Sequence, residues 1–221
     1  MSLVLFVLAI VVTLLSQAYL RITFSKYKKL ANAKQLSGNQ VASSILKSEG
    51  LSQIDLHESP AKMSDHYDPI NKKVGLSSEI FKDRSLLSLA VAAHEVGHAI
   101  QDRDAYALLR LRGSMFPLVN IASFLAPLII IVSFFAQSLD LLYLGIGFLS
   151  LTVVFALITL PVEIDASRRA MVLIRRHNLA TNSEMIIVKK ILTAAALTYV
   201  AAAAVALLEL LRYILIARAN D

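Results

Sequence analysis

His94-Glu95-Val96-Gly97-His98 is the stretch around which this chain is organised. It matches the pattern H-E-x-x-H. Positions i and i+4 of a helix lie one above the other on one face, so two imidazoles can point at one ion. Zinc accepts neutral imidazole nitrogens and, in catalytic sites, keeps a coordination position for water. The ion brings that water's pKa down to about 7, and Glu95, one position along, can take its proton. The chemistry implied is amide hydrolysis with Glu95 as general base. Three fixed positions also recur by chance, so the flanks decide. From Ser85 to Gln101 the chain is apolar, Ala-rich and free of Pro. That predicts a helix with Asp83 or Ser85 as N-cap. A His-Glu pair in a buried helix is costly without partners. The competing reading is a core helix whose histidines are merely hydrogen-bonded.

Composition points to a membrane. The 221 residues are 57% hydrophobic, with mean hydropathy +0.64, against about half apolar in ordinary soluble domains. The net charge is +6. Beside long apolar runs, basic residues read as topology signals rather than a nucleic-acid footprint. No stripe of interleaved aromatic and basic residues suggests a nucleic-acid partner. The absence of cysteine excludes disulfides and thiolate-bound zinc.

The uncharged stretch from Leu3 to Leu20 is long enough to span. No Lys or Arg precedes it, whereas Arg21, Lys26, Lys28, Lys29 and Lys34 follow. A cleavable signal carries its charges in front, so this is an anchor with its N-terminus outside and its basic flank in the cytoplasm. Residues 39–49 read as an amphipathic helix, capped by Asn39 and ended by Gly50. Gln53 to Glu58 alternates at period two, and the turn Asp68-Pro69-Ile70-Asn71 precedes a strand-like Lys72 to Ser77. These predict a small sheet before the motif helix. Lys72 to Ser77 is either the edge on which substrate would add as a strand or part of a hairpin that only packs on the helix. Met115 to Gln137, with Pro127 as a kink, and Leu141 to Leu160 form a membrane hairpin around Ser138 to Asp140. Arg168, Arg169, Arg175, Arg176, Lys189 and Lys190 place the next segment in the cytoplasm. Ile191 to Leu211 is a last, Ala-rich span, and Glu209, Arg212 and Arg218 follow its centre. The central parts of the hairpin spans carry no ionisable residue, which disfavours a transporter.

A zinc hydrolase needs a third protein ligand. The longer pattern H-E-x-x-H-x-x-G-x-x-H fails, because Gln101 and Asp104 stand where Gly and His would be. Candidates farther along are Glu163, Asp165, His177 and Glu184. Glu163 stands out physically. It lies at the mouth of a span beside Pro161, where a carboxylate needs a partner and a cation suffices. A Glu favoured by a helix N-terminal dipole is the plain alternative. Asp165 points from another face and suits a supporting hydrogen bond to a ligand histidine or to Arg168. One straight helix from His98 to Gly113 would put the metal ~22 Å from the membrane end, so a bend is expected around Asp102 to Asp104, or a motif helix lying along the membrane surface. His66, Tyr67, Arg168 and His177 are the conceivable oxyanion stabilisers.

Several stretches together resemble one family. Ser64-Asp-His-Tyr-Asp-Pro69, Leu76-Ser77, Arg84-Ser85, Val91 to Ala99, Leu160 to Ala170 and Leu192 to Val200 are similar to the YugP-like neutral zinc metallopeptidases of bacterial membranes. The resemblance covers nearly the whole chain. It implies a zinc-dependent protease with His94, His98 and Glu163 as ligands and Glu95 as catalyst. More distant HtpX-type membrane proteases share the order of motif, membrane hairpin and Glu. Their usual acidic residue four positions after that Glu is Ser167 here.

The expected architecture is a mainly α membrane protein, four transmembrane helices with a small α+β zincin-like catalytic domain. Its segments are an anchor (1–20), a cytoplasmic catalytic region (21–113), a transmembrane hairpin (114–161), a cytoplasmic helix carrying the third ligand (162–190), and a final span with its tail (191–221). The implied protein is a multi-pass zinc endopeptidase of the bacterial cell membrane with its site on the cytoplasmic side. Its partners are the lipid bilayer and a peptide or protein substrate, membrane proteins included, and analogy with HtpX suggests membrane-protein quality control. A non-catalytic zinc-binding membrane scaffold would use the same ligands without needing Glu95.

Because cysteine is absent, single introduced cysteines report topology cleanly. In intact cells Ser138→Cys should label with a membrane-impermeant maleimide, and Ser52→Cys or Ser183→Cys should not. External labelling of Ser52→Cys would reverse the orientation drawn from the basic flanks.

Overall fold

Inside a bilayer the backbone must satisfy its own hydrogen bonds, so long apolar runs fold as helices. The computed structural model describes residues 2–60 and 64–220. The elements are α1 (Ser2–Tyr27), α2 (Gly38–Ser48), β1 (Asp55–Ser59), β2 (His66–Asp68), β3 (Lys73–Ser77), α3 (Ser78–Lys82), α4 (Leu86–Arg103), α5 (Ala107–Ala136), α6 (Leu139–Arg176) and α7 (Asn182–Ala219). Among the described residues four helices, α1, α5, α6 and α7, are long and apolar enough to cross a membrane. The chain is a mainly α-helical membrane protein with a small α+β part.

Two compact units divide it. The first joins Met1–Ala18, Ala107–Val162 and Leu197–Asp221. Its helices turn Phe124, Phe135, Leu14 and similar side chains outward, as a lipid-facing surface requires. Inside, Ile130, Leu142, Ile146 and Ala217 pack together. A Cβ on Gly145 would lie 2.5 Å from Ile130 Cγ1, so that glycine lets α5 and α6 approach. Arg212 pairs with Glu209 at 2.6 Å and stacks on the Tyr213 ring at 4.2 Å. Pairing reduces the cost of two charges on an apolar helix.

The second unit comprises Tyr19–Tyr106 and Glu163–Ala196. Its core is built on α4, against which Val41 and Ile45 of α2, Val74 and Leu76 of β3, Ile174 of α6 and Val188 and Ile191 of α7 gather. Ser85 caps α4, its hydroxyl accepting from Ser88 N at 3.1 Å, as expected. The expected break after α4 falls at Asp104 to Tyr106, where Ala105 takes φ 55°. Ser37, not Asn39, caps α2, because its hydroxyl and the Gln40 side chain close a reciprocal pair of bonds.

Three sequence expectations change here. The sheet has the order β1-β3-β2, with β1 parallel and β2 antiparallel to β3. The Lys72 to Ser77 stretch is therefore the central strand and not a substrate edge. Both its backbone sides are taken, and Val74, Gly75, Leu76 and Ser77 are buried. Among the described residues the outer strands are β1 and β2. The Asp68 turn does join β2 to β3, with Asp68 Oδ1 accepting from Ile70 N and Asn71 N. The Ala61–Met63 portion of the expected sheet region lies outside the described residues. Secondly, no separate helix begins at 162, next to Pro161. That proline sits inside α6, which runs unbroken from the second hairpin span to Arg176. Proline removes one N–H and crowds one carbonyl, and the helix continues through it. Thirdly, Glu163 is consequently mid-helix, which removes the N-terminal dipole as its reason for being there.

One half-buried carboxylate ties three helix ends. Glu49, just past α2, accepts from Arg103 Nη1 at 3.3 Å, Arg176 Nη1 at 2.9 Å and meets His177 Nε2 at 3.1 Å. Burial opposes ionisation, but the bonds from His177, Arg103 and Arg176 outweigh it and hold the carboxyl below its ordinary value. Glu49→Gln should lower stability at neutral pH by about 1–3 kcal/mol, read from thermal unfolding in detergent. A depressed folded pKa confers stability above the unfolded value and loses it as pH falls through the folded one. The gap between wild type and Glu49→Gln should therefore close as pH drops below 4.5.

Candidate metal centre

Helical periodicity brings His94 and His98 together on α4, with ring centroids 4.8 Å apart in an edge-to-face arrangement. The third partner comes from α6. Glu163 Oε2 lies 3.3 Å from His94 Nε2 and 3.6 Å from His98 Nε2. As hydrogen bonds these are long. As edges of a tetrahedron they fit, because ligand bonds of about 2.0–2.1 Å to zinc separate neighbouring donors by about 3.3–3.4 Å. Among the described residues these three form a group whose donor atoms lie within 4.8 Å of one another. Glu163 is 2% exposed, and so buried a carboxylate needs positive charge beside it. Two imidazoles and a carboxylate are a donor set that suits zinc.

The far nitrogen of each ring is also engaged. His94 Nδ1 meets Ser167 Oγ at 3.2 Å. His98 Nδ1 meets Gln101 Oε1 at 2.9 Å, and Gln101 Nε2 donates to Asp165 Oδ2 at 3.0 Å. Asp165 in turn accepts from Arg169 Nε at 2.6 Å. Both rings thus keep Nε2 turned toward Glu163.

A glycine makes this meeting of helices possible. A Cβ on Gly97 would lie 2.6 Å from the carbonyl oxygen of Ala166. Gly97 precedes His98, and Ala166 lies between Asp165 and Ser167. Where α4 and α6 touch without side chains, the residues on either side come within reach.

The other sequence candidates for third ligand are held elsewhere. His177 is on Glu49. Glu184 accepts from Ala33 N and Thr181 N. Asp165 serves Gln101 and Arg169, with Arg168 at 3.7 Å. Of the conceivable oxyanion stabilisers, Tyr67 donates its hydroxyl to Asp102 at 2.6 Å; burial and then this bond push its pKa well above the ordinary value. His66 Nδ1 bonds the carbonyl of Ser64, and Arg168 is largely exposed. Glu95 is buried beside the histidines along α4. Sequence reasoning missed Gln101, which read only as the failure of a longer motif. Its signal was an amide one helical turn beyond a ligand-type histidine. Ser167 was noted only as a missing acid.

The family described as "Putative neutral zinc metallopeptidase" matches residues 2–218. The "Putative membrane protease YugP" of Bacillus subtilis strain 168 is 42% identical over 201 residues, covering 91% of this chain and 89% of that protein. No solved structure matches.

Gly97→Ala tests the helix contact. Helix propensity alone would stabilise by roughly 1 kcal/mol. The clash with Ala166 should reverse the sign, costing about 1–3 kcal/mol, and should reduce bound zinc. A more stable variant with full zinc would refute the close contact.

Proposed function

This chain belongs to the neutral zinc metallopeptidase family, and from that premise we propose that it is a membrane endopeptidase with His94, His98 and Glu163 as zinc ligands and Glu95 as general base. The observation that carries the reading is the convergence of two imidazole nitrogens and one buried carboxylate oxygen at tetrahedral-edge distances. Zinc bound there supplies Lewis acidity, lowering the pKa of a water and polarising the scissile carbonyl. The rest is the work of the chain. His94 and His98 present Nε2 because Ser167 and Gln101 occupy Nδ1. Glu163 adds the anionic ligand. Glu95 takes the proton from the attacking water and passes it to the leaving amine. Its place next to His94 on α4 and its burial favour that role. β2, an outer strand of the sheet, packs against α4 together with the central strand β3. The outer side of β2 suits an extended peptide substrate.

The basic flanks of the spans support a site on the cytoplasmic side of the bacterial membrane. Membrane proteins are natural substrates for a protease so anchored, in keeping with quality control.

Glu95→Gln keeps size and loses the base. It should retain zinc and lower cleavage of an unfolded protein substrate by roughly 10²–10⁴-fold. Glu163→Gln should lose zinc as well as cleavage, since a carboxamide is the poorer ligand. Undiminished cleavage by Glu95→Gln would replace the peptidase with a zinc-binding scaffold.

A further inference from the structure

We propose that Gln101, oriented by Asp165 and Arg169, is a positioning residue that selects the metal-binding tautomer of His98. The inference rests on the proposed zinc site. A neutral imidazole carries one proton, and only the ring nitrogen without it can bind a metal. An amide cannot choose for the ring unless it is itself oriented, because its two ends differ only in donor and acceptor character. Here the orientation is imposed from outside. Arg169 Nε donates to Asp165 Oδ2 at 2.6 Å, and Arg169 Nη1 also holds Asp104. The carboxylate of Asp165 can only accept, so Gln101 must turn its NH₂ toward it. Oε1 then faces His98 Nδ1 at 2.9 Å and can only accept from it. The proton is held on Nδ1, and Nε2 is left as a lone pair facing Glu163.

Gln101 is fully buried. Turning its amide would set acceptor against acceptor at Asp165 and would drive the proton of His98 to Nε2. Many metal-binding histidines lean directly on a carboxylate. Here an amide stands between, so the choice of tautomer is made by a residue on another helix that touches no histidine. Asp165 belongs to α6, as Glu163 does. The same helix therefore supplies one ligand and sets the protonation of another.

The test is zinc affinity of the full chain in detergent, measured by competition with a chromogenic chelator, with thermal unfolding as the check on fold. Gln101→Met, which removes the acceptor, should weaken zinc 10–100-fold. Asp165→Ala should weaken it comparably, because the amide is no longer oriented. Adding Asp165→Ala to Gln101→Met should then cost less than about 3-fold, since the two act in series. The decisive variant is Gln101→Glu placed on Asp165→Ala. A carboxylate has no donor end to misplace, so it should restore affinity to within about 3-fold of wild type. That rescue is not expected of a merely structural residue, and it decides the matter even if Gln101→Met fails to fold. Losses that multiply, or a Gln101→Glu that rescues nothing, overturn the relay while the zinc site stands. If His94→Ala binds zinc as wild type does, the zinc site itself is wrong and the relay falls with it.

Discussion

Between Gly97 and Ala166 there is no room for a side chain, and the site depends on that. Helices with ordinary side chains at the contact sit 8–10 Å apart. Removing the Cβ at the crossing lets backbone meet backbone. The polar residues flanking the contact are then forced together, His98 and His94 from α4, Glu163 and Ser167 from α6. The second variable position of the motif, Gly97, is thus constrained by packing rather than by chemistry.

The second demand is that the polar groups along α4 be paired. A buried polar group without a partner costs about 1–3 kcal/mol, and α4 carries several. The buried Gln101 finds Asp165, the half-buried His94 and Asp102 find Ser167 and Tyr67 with Lys72, and the exposed Asp104 just past the helix pairs with Arg169. The last turn of α4 is in effect a junction, binding the sheet on one side and α6 on the other. Glu49 does the same for three helix ends. Local order around the histidines and cohesion of the whole unit come from the same bonds.

What could be read from the sequence follows the range of each interaction. The helix carrying His94 and His98, its Ser85 cap and the four apolar helices depend on near neighbours, and they were legible. Glu163 could be singled out because a carboxylate beside a span is anomalous by itself. The strand order was not legible: nothing local in Lys72 to Ser77 says that β1 will pair parallel to it across an intervening strand. Pro161 misled because proline usually ends a helix. Gln101 was invisible for a different reason. Its partner Asp165 is 64 residues away, and an amide gains meaning only from what it faces.

α4 is covered along nearly its whole length, from Leu86 to Gln101. Its amide hydrogens have no shallow route to solvent. A surface helix can fray and re-form on its own, but this one opens only when the elements packed around it come away. The histidine pair therefore exists in two conditions, fully assembled or gone with the unit. For a protein whose neighbours are other proteins, that cooperativity has a protective side. A nascent or damaged copy holds the pair with the whole unit or not at all.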